Sequence, residues 1–210
     1  CRLWKYSCET LWFINETRII MALNLNNLKK LLIDNYNTIR ENGATQKESA
    51  DGMANAIVKY SKDAEALIPT PFIIPGVPPV PDASVIGTKI KVVGHEVGKA
   101  ALSSVIQSSY KAMDPSFSII AGAIVAYVAT FVSYKNNLPV PKTITGTTLI
   151  PPPVLVSVTP IGMAGGSVED AMSTTANLIH ASFMAGTVTG VGINPSGGAT
   201  IPTPVVAKLV

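Results

Sequence analysis

Ionised side chains are scarce in this sequence. Charged residues make up 14% of it, against roughly 25% in an average soluble domain. A lone protein relies on surface charge to stay dispersed, so a deficit of this size points to surface covered by other molecules. The shortage is also uneven. From Thr143 to Ala207 the only charged residues are Glu169 and Asp170.

Cysteine and tryptophan are as rare. There are two of each, and Cys1, Trp4, Cys8 and Trp12 all precede residue 21. The character of the chain changes at Met21-Ala22-Leu23-Asn24. Residues 1–20 read as upstream DNA translated in frame, with Met21 as the expected start. A signal peptide is the competing reading, but Leu11–Ile14 falls far short of the roughly 7–15 apolar residues such a segment needs. Setting aside residues 1–20 removes three basic residues (Arg2, Lys5, Arg18) and two acidic ones (Glu9, Glu16). The net charge then moves from +3 to +2 and no cysteine remains. Disulfides, thiolate nucleophiles and cysteine metal sites are thereby excluded from residues 21–210.

Catalytic patterns are missing too. His95 and His180 are far apart, neither has a second histidine three or four residues away, and only Glu96 stands beside His95. A metal site needs several converging ligands, so each histidine is expected to be exposed or hydrogen-bonded within the fold. Gly94-His95-Glu96-Val97-Gly98-Lys99-Ala100 is one residue too short for a phosphate-binding loop, and Ala100 replaces the hydroxyl that would meet Mg²⁺. Gly94 is better read as the end of a strand. No G-x-S-x-G elbow occurs. The acids Glu41, Glu48, Asp51, Asp63 and Glu65 alternate with lysines and an arginine, as on a solvated helix face. Aromatics are 6% and do not alternate with basic residues, which argues against a base-stacking platform. The expectation is a non-enzymatic protein without cofactor or metal, and with no nucleic-acid, membrane or small-molecule partner.

What is present is helical periodicity in five places. Leu25, Leu28, Leu31, Leu32, Tyr36 and Ile39 form one face, opened by Asn24 and closed by Gly43. Thr45 to Glu48 is a capping-box pattern ahead of Ala50, Met53, Ala54, Ile57 and Leu67. A third helix is expected over about 96–113, with Val97, Ala100, Ala101, Val105 and Tyr110 inward. Asp114-Pro115 restarts the chain into a fourth helix, 116–136, apolar nearly all round. A fifth begins at Ser167, with Glu169 and Asp170 in its first turn and Met172, Thr175, Ile179 and Phe183 along one face. The second and fourth helices are expected to form the core.

The connecting segments differ in kind. Residues 69–81 are too rich in proline for a helix or a central strand and predict extended backbone. Residues 85–93 and 143–158 carry the β-branched content of strands, and 187–210 reads as strands and turns at an edge. Ala56-Ile57-Val58-Lys59-Tyr60 recurs as Ala123-Ile124-Val125-Ala126-Tyr127. Each copy lies in the second helix of a pair and precedes a P-x-P, an arrangement consistent with internal duplication. The fold class expected is α+β: five helices, as two antiparallel pairs plus one, with Pro-rich connectors and β-rich segments. Residues 21–142 make the helical part, and 143–210 the neutral Thr/Val/Gly/Pro-rich part with one helix.

Neutral, glycine-rich strands pair readily with other chains. The candidate interface residues are therefore Phe72, Ile73, Ile74, Val77, Ile150, Val154, Val156, Val188 and Ile201. A second reading rests on Ile119–Val132, which is uncharged and would serve as the inserting segment of a membrane-acting, lysis-type protein. A bilayer span needs about 20 predominantly apolar residues, so a central helix buried by its neighbours fits the length better.

Asn27-Leu28-Lys29-Lys30-Leu31, the Ala50-Asp51-Gly52-Met53-Ala54-Asn55-Ala56-Ile57 helix and the P-x-P or Gly/Thr-rich segments after each helix together resemble the small virion structural proteins of tailed bacteriophages. That resemblance implies a non-catalytic place in a phage particle. The partners would be other copies of the chain or other virion proteins, after synthesis in the bacterial cytoplasm. It brings no site residues with it.

Overall fold

A computed structural model describes residues 23–76, 78–111, 118–130, 133–135, 138, 141–150, 167–196 and 200–210. The first helix, α1 (Leu25–Asn42), starts where Asn24 accepts from the backbone N–H groups of Asn26 and Asn27. It stops at Gly43, whose φ of 60° is a conformation glycine adopts without a Cβ penalty. α2 (Gln46–Ser61) has a complete capping box, in which Thr45 and Glu48 satisfy each other's backbone N–H. It ends six residues before Leu67, which lies in strand β1 (Glu65–Leu67) instead. No helix breaker precedes that stop; strand pairing on both sides of β1 decides it.

The proline-rich stretch is extended, as expected, and forms a two-stranded hairpin of β2 (Phe72–Ile74) and β3 (Val80–Asp82) outside the main sheet. A one-turn 3₁₀ segment, Ala83–Val85, leads to β4 (Lys89–Val93). Gly94 then turns the chain with φ of 96°. α3 (Lys99–Lys111) buries Leu102, Ser103, Ile106 and Ser109. The expected inward set is largely wrong here: Val97 is 67% exposed, Val105 is 37% exposed, and Ala100 and Ala101 face solvent. Small serines let α3 sit close to its neighbours, and Ser103 Oγ donates to Asp51 on α2 at 2.5 Å.

α4 (Ser118–Val128) is followed by β5 (Ser133–Lys135), so the uncharged run does not continue as one helix to residue 136. Among the described residues no helix is long and apolar enough to cross a membrane. After β6 (Thr143–Ile150), α5 (Val168–Met184) begins with a second capping box, between Ser167 and Asp170. β7 (Thr187–Ile193) and β8 (Thr203–Leu209) complete the described chain.

The class is α+β. Each helix packs on two others, α1 on α2 and α5, α3 on α2 and α4, and α5 also on α4, which closes a ring of five. Six strands form an antiparallel sheet in the order β5-β4-β1-β8-β7-β6. β8 is central rather than at an edge. Pro204 is tolerated there because it lies near the start of the strand, opposite Val191. α2 and α4 supply much of the core, with Ile57, Tyr60, Ile124 and Tyr127 almost fully buried. Those four are matched positions of the repeated motif. The strands that follow, β1 and β5, pair with opposite edges of β4.

Candidate interaction surface

Alternation along the strands assigns the two faces of the sheet. Ala66, Ile90, Val92, Val188, Val205, Ala207 and Leu209 are buried on the inner side. The outer side carries Glu65, Leu67, Lys89, Lys91, Pro204, Val206 and Lys208, with Thr187, Thr189 and Val191. Half of this outer face, on β4, β1 and β8, is basic. Lys89 reaches Glu65 at 3.1 Å, and Lys91 and Lys208 are exposed. The other half, on β7 and β6, has no charged residue at all. Val206 is 53% exposed at the boundary between the halves. Among the described residues β5 and β6 are the edge strands.

The candidate interface residues divide sharply on this frame. Phe72 and Val188 are a correction, because their side chains are 0% and 2% exposed and belong to the chain's own core. Phe72 lies over Gly192 of β7, where a Cβ would stand 2.3 Å from Cε1 of the ring. The hairpin is further held by Ile73 N–H donating to Thr203 Oγ1 at 3.1 Å. The two neutral stretches therefore meet each other, and part of their charge shortage is ordinary core burial. Ile73, Ile74 and Ile201 are half-buried. Ile150 pairs with Thr187 in β6. Val77, Val154 and Val156 lie outside the described residues, as do residues 1–20. The exposed Val206 and Lys208 were not singled out from sequence, although the period-two pattern of 203–209 carried the signal, and half-buried Leu67 was read as part of a helix face.

Both histidines and Asp82 are engaged in contacts within the fold. His95 is 9% exposed. Its Nε2 lies 2.9 Å from the Val92 carbonyl, which can only accept, so the proton sits on Nε2. Nδ1 is then open to the Ser61 hydroxyl at 3.2 Å. Tyr127 donates its hydroxyl proton to the His95 carbonyl at 2.7 Å and stands 2.9 Å from Ser61 Oγ. Ser61 is fully buried, so its hydroxyl offers no face to a substrate in the observed conformation. The cluster locks the end of α2 and α4 to the loop after β4. Gly98 permits it, since a Cβ there would lie 2.9 Å from the Tyr127 ring. Tyr127→Phe should cost about 1–3 kcal/mol, because the buried His95 carbonyl loses a donor; urea unfolding checks this.

His180 Nδ1 meets the Tyr60 hydroxyl at 2.5 Å. Burial holds both histidines below the ordinary imidazole value. The unfolded chain thus binds protons more readily than the folded one, and stability falls as pH drops below about 6.5. The second cluster ties the hairpin to the sheet. Asp82 accepts from Lys142 at 2.7 Å, from Asn194 at 2.7 Å and from Ser84 N–H at 3.0 Å. Lys142 also contacts the Ser84 hydroxyl. No group of three or more metal-ligating side chains occurs among the described residues.

No protein-family profile, curated protein or solved structure matches this chain.

Proposed function

We propose that this chain is a non-enzymatic structural subunit that works by packing against other protein subunits, in a tailed-phage particle as its sequence style implies. The observation that carries the reading is the sheet's outer face. It combines exposed Val206 and half-buried Leu67 with a chargeless threonine and valine half, next to three lysines that oppose one glutamate. Apolar and neutral polar surface supplies the buried area of a contact, and charges beside it fix register and partner. The half-buried Ile73, Ile74 and Ile201 belong to the same reading, at the hairpin end of the sheet.

The test is Val206→Glu combined with Val191→Glu, both on the outer face. Wild-type protein should self-associate in sedimentation velocity or co-sediment with particles that contain it. The double variant should keep its far-ultraviolet circular dichroism and lose that association. A wild-type protein that stays monomeric at high concentration and is absent from purified particles would remove the basis of the proposal.

A further inference from the structure

At the end of the bundle remote from the sheet, all five helices line one cavity of about 370 Å³. This lies within the roughly 300–1,000 Å³ typical of small-molecule sites. The buried Leu32, Met53, Ile120 and Thr175 are among its walls. None of its described lining residues carries a charge. A charged occupant would lose its hydration with no counter-charge among these residues to replace it.

The polar groups of the wall narrow the ligand further. Thr175 and Ser49 spend their hydroxyls on carbonyls of their own helices, at 2.9 and 3.1 Å. Tyr110 does not. Its hydroxyl donates to Met53 Sδ at 3.4 Å, a thioether and so a weak acceptor. Burial pushes this phenol above its ordinary value, so it stays protonated and remains a donor. Asn35 also lines the cavity, and its carboxamide has no hydrogen-bond partner among the described residues. Met53 and Met172 give the wall adaptable shape.

We infer that this cavity is a binding site for a neutral, mainly apolar small molecule carrying one hydrogen-bond acceptor, which Tyr110 engages in place of the methionine sulfur. Acetophenone and ethylbenzene are suitable probes, similar in size and differing in the carbonyl oxygen. Titration of the full chain, followed by NMR shifts of the cavity methionine methyls, should show saturable binding of acetophenone. Tyr110→Phe should weaken acetophenone about fivefold, the worth of one net hydrogen bond, and leave ethylbenzene unchanged. Ile120→Trp, which fills the space, should abolish binding of both; Met53→Trp serves if that variant does not fold. The inference is overturned if acetophenone fails to saturate the wild-type signal. It is equally overturned if a folded space-filling variant binds like wild type, or if Tyr110→Phe leaves the two probes' affinities in their original ratio.

Discussion

Lys142→Met should destabilise the protein by about 2–3 kcal/mol at neutral pH, less than for a fully buried pair, because a largely covered carboxylate loses its cationic partner. The side chains of Lys142 and Asp82 are 13% and 11% exposed. The methionine would leave the Asp82 carboxylate with little solvent and with Asn194 and Ser84 as its remaining donors. The hydrogen bond from Lys142, followed by those from Ser84, draws the Asp82 carboxyl down from 3.8 to about 2. A depressed carboxyl stabilises the fold above its unfolded value and ceases to do so as pH falls through the folded one. The shift corresponds to about 2 kcal/mol, lost between about pH 4 and pH 2. The penalty of Lys142→Met should therefore shrink as the pH approaches 2. Asp82→Asn in the same chain should recover part of it at pH 7. Urea unfolding of the two variants at pH 7 and pH 2.5 reads both effects, and a penalty independent of pH would contradict the assignment.

The second large effect is at the hairpin. Phe72→Ala should cost about 3–5 kcal/mol, because a fully buried ring is removed and its site cannot close completely. Gly192→Ala should cost about 1–3 kcal/mol for the opposite reason, since the new methyl would meet the ring well inside contact distance. The two changes are coupled. Once the ring is gone there is nothing for the methyl to strike, so Gly192→Ala should be nearly neutral, or stabilising, in a Phe72→Ala background. A double-mutant cycle measures that coupling directly. Additive costs would mean that the hairpin does not dock where β7 carries its glycine.

The elements read well from sequence are those whose causes are local. Asn24, Thr45, Glu48, Ser167 and Asp170 satisfy backbone groups within one turn of themselves, and each helix start they predict is where the chain begins to wind. The inward faces of α2 and α5 were legible for a related reason. One side of each is clearly more apolar, and Ala50, Met53, Ile57, Ile179 and Phe183 are buried. α3 failed that test because its face was drawn through Val97, which precedes the helix, and Val105, rather than through Leu102 and Ile106. Packing on α2 and α4 buries the Leu102, Ser103, Ile106 and Ser109 side.

Composition and short-range chemistry thus settled the class, the starts of α1, α2 and α5 and the lack of any familiar catalytic motif, since each depends on residues a few positions apart. The expected Asp114-Pro115 start lies outside the described residues. Strand order, the end of α2, the central place of β8 and the burial of Phe72 depended on pairings such as Leu67 with Lys208. The cavity lined by five helices depended on them equally. Which of many similar apolar segments meet is set by the joint packing of the whole chain. That information is spread over distant residues and is visible only once they are in contact.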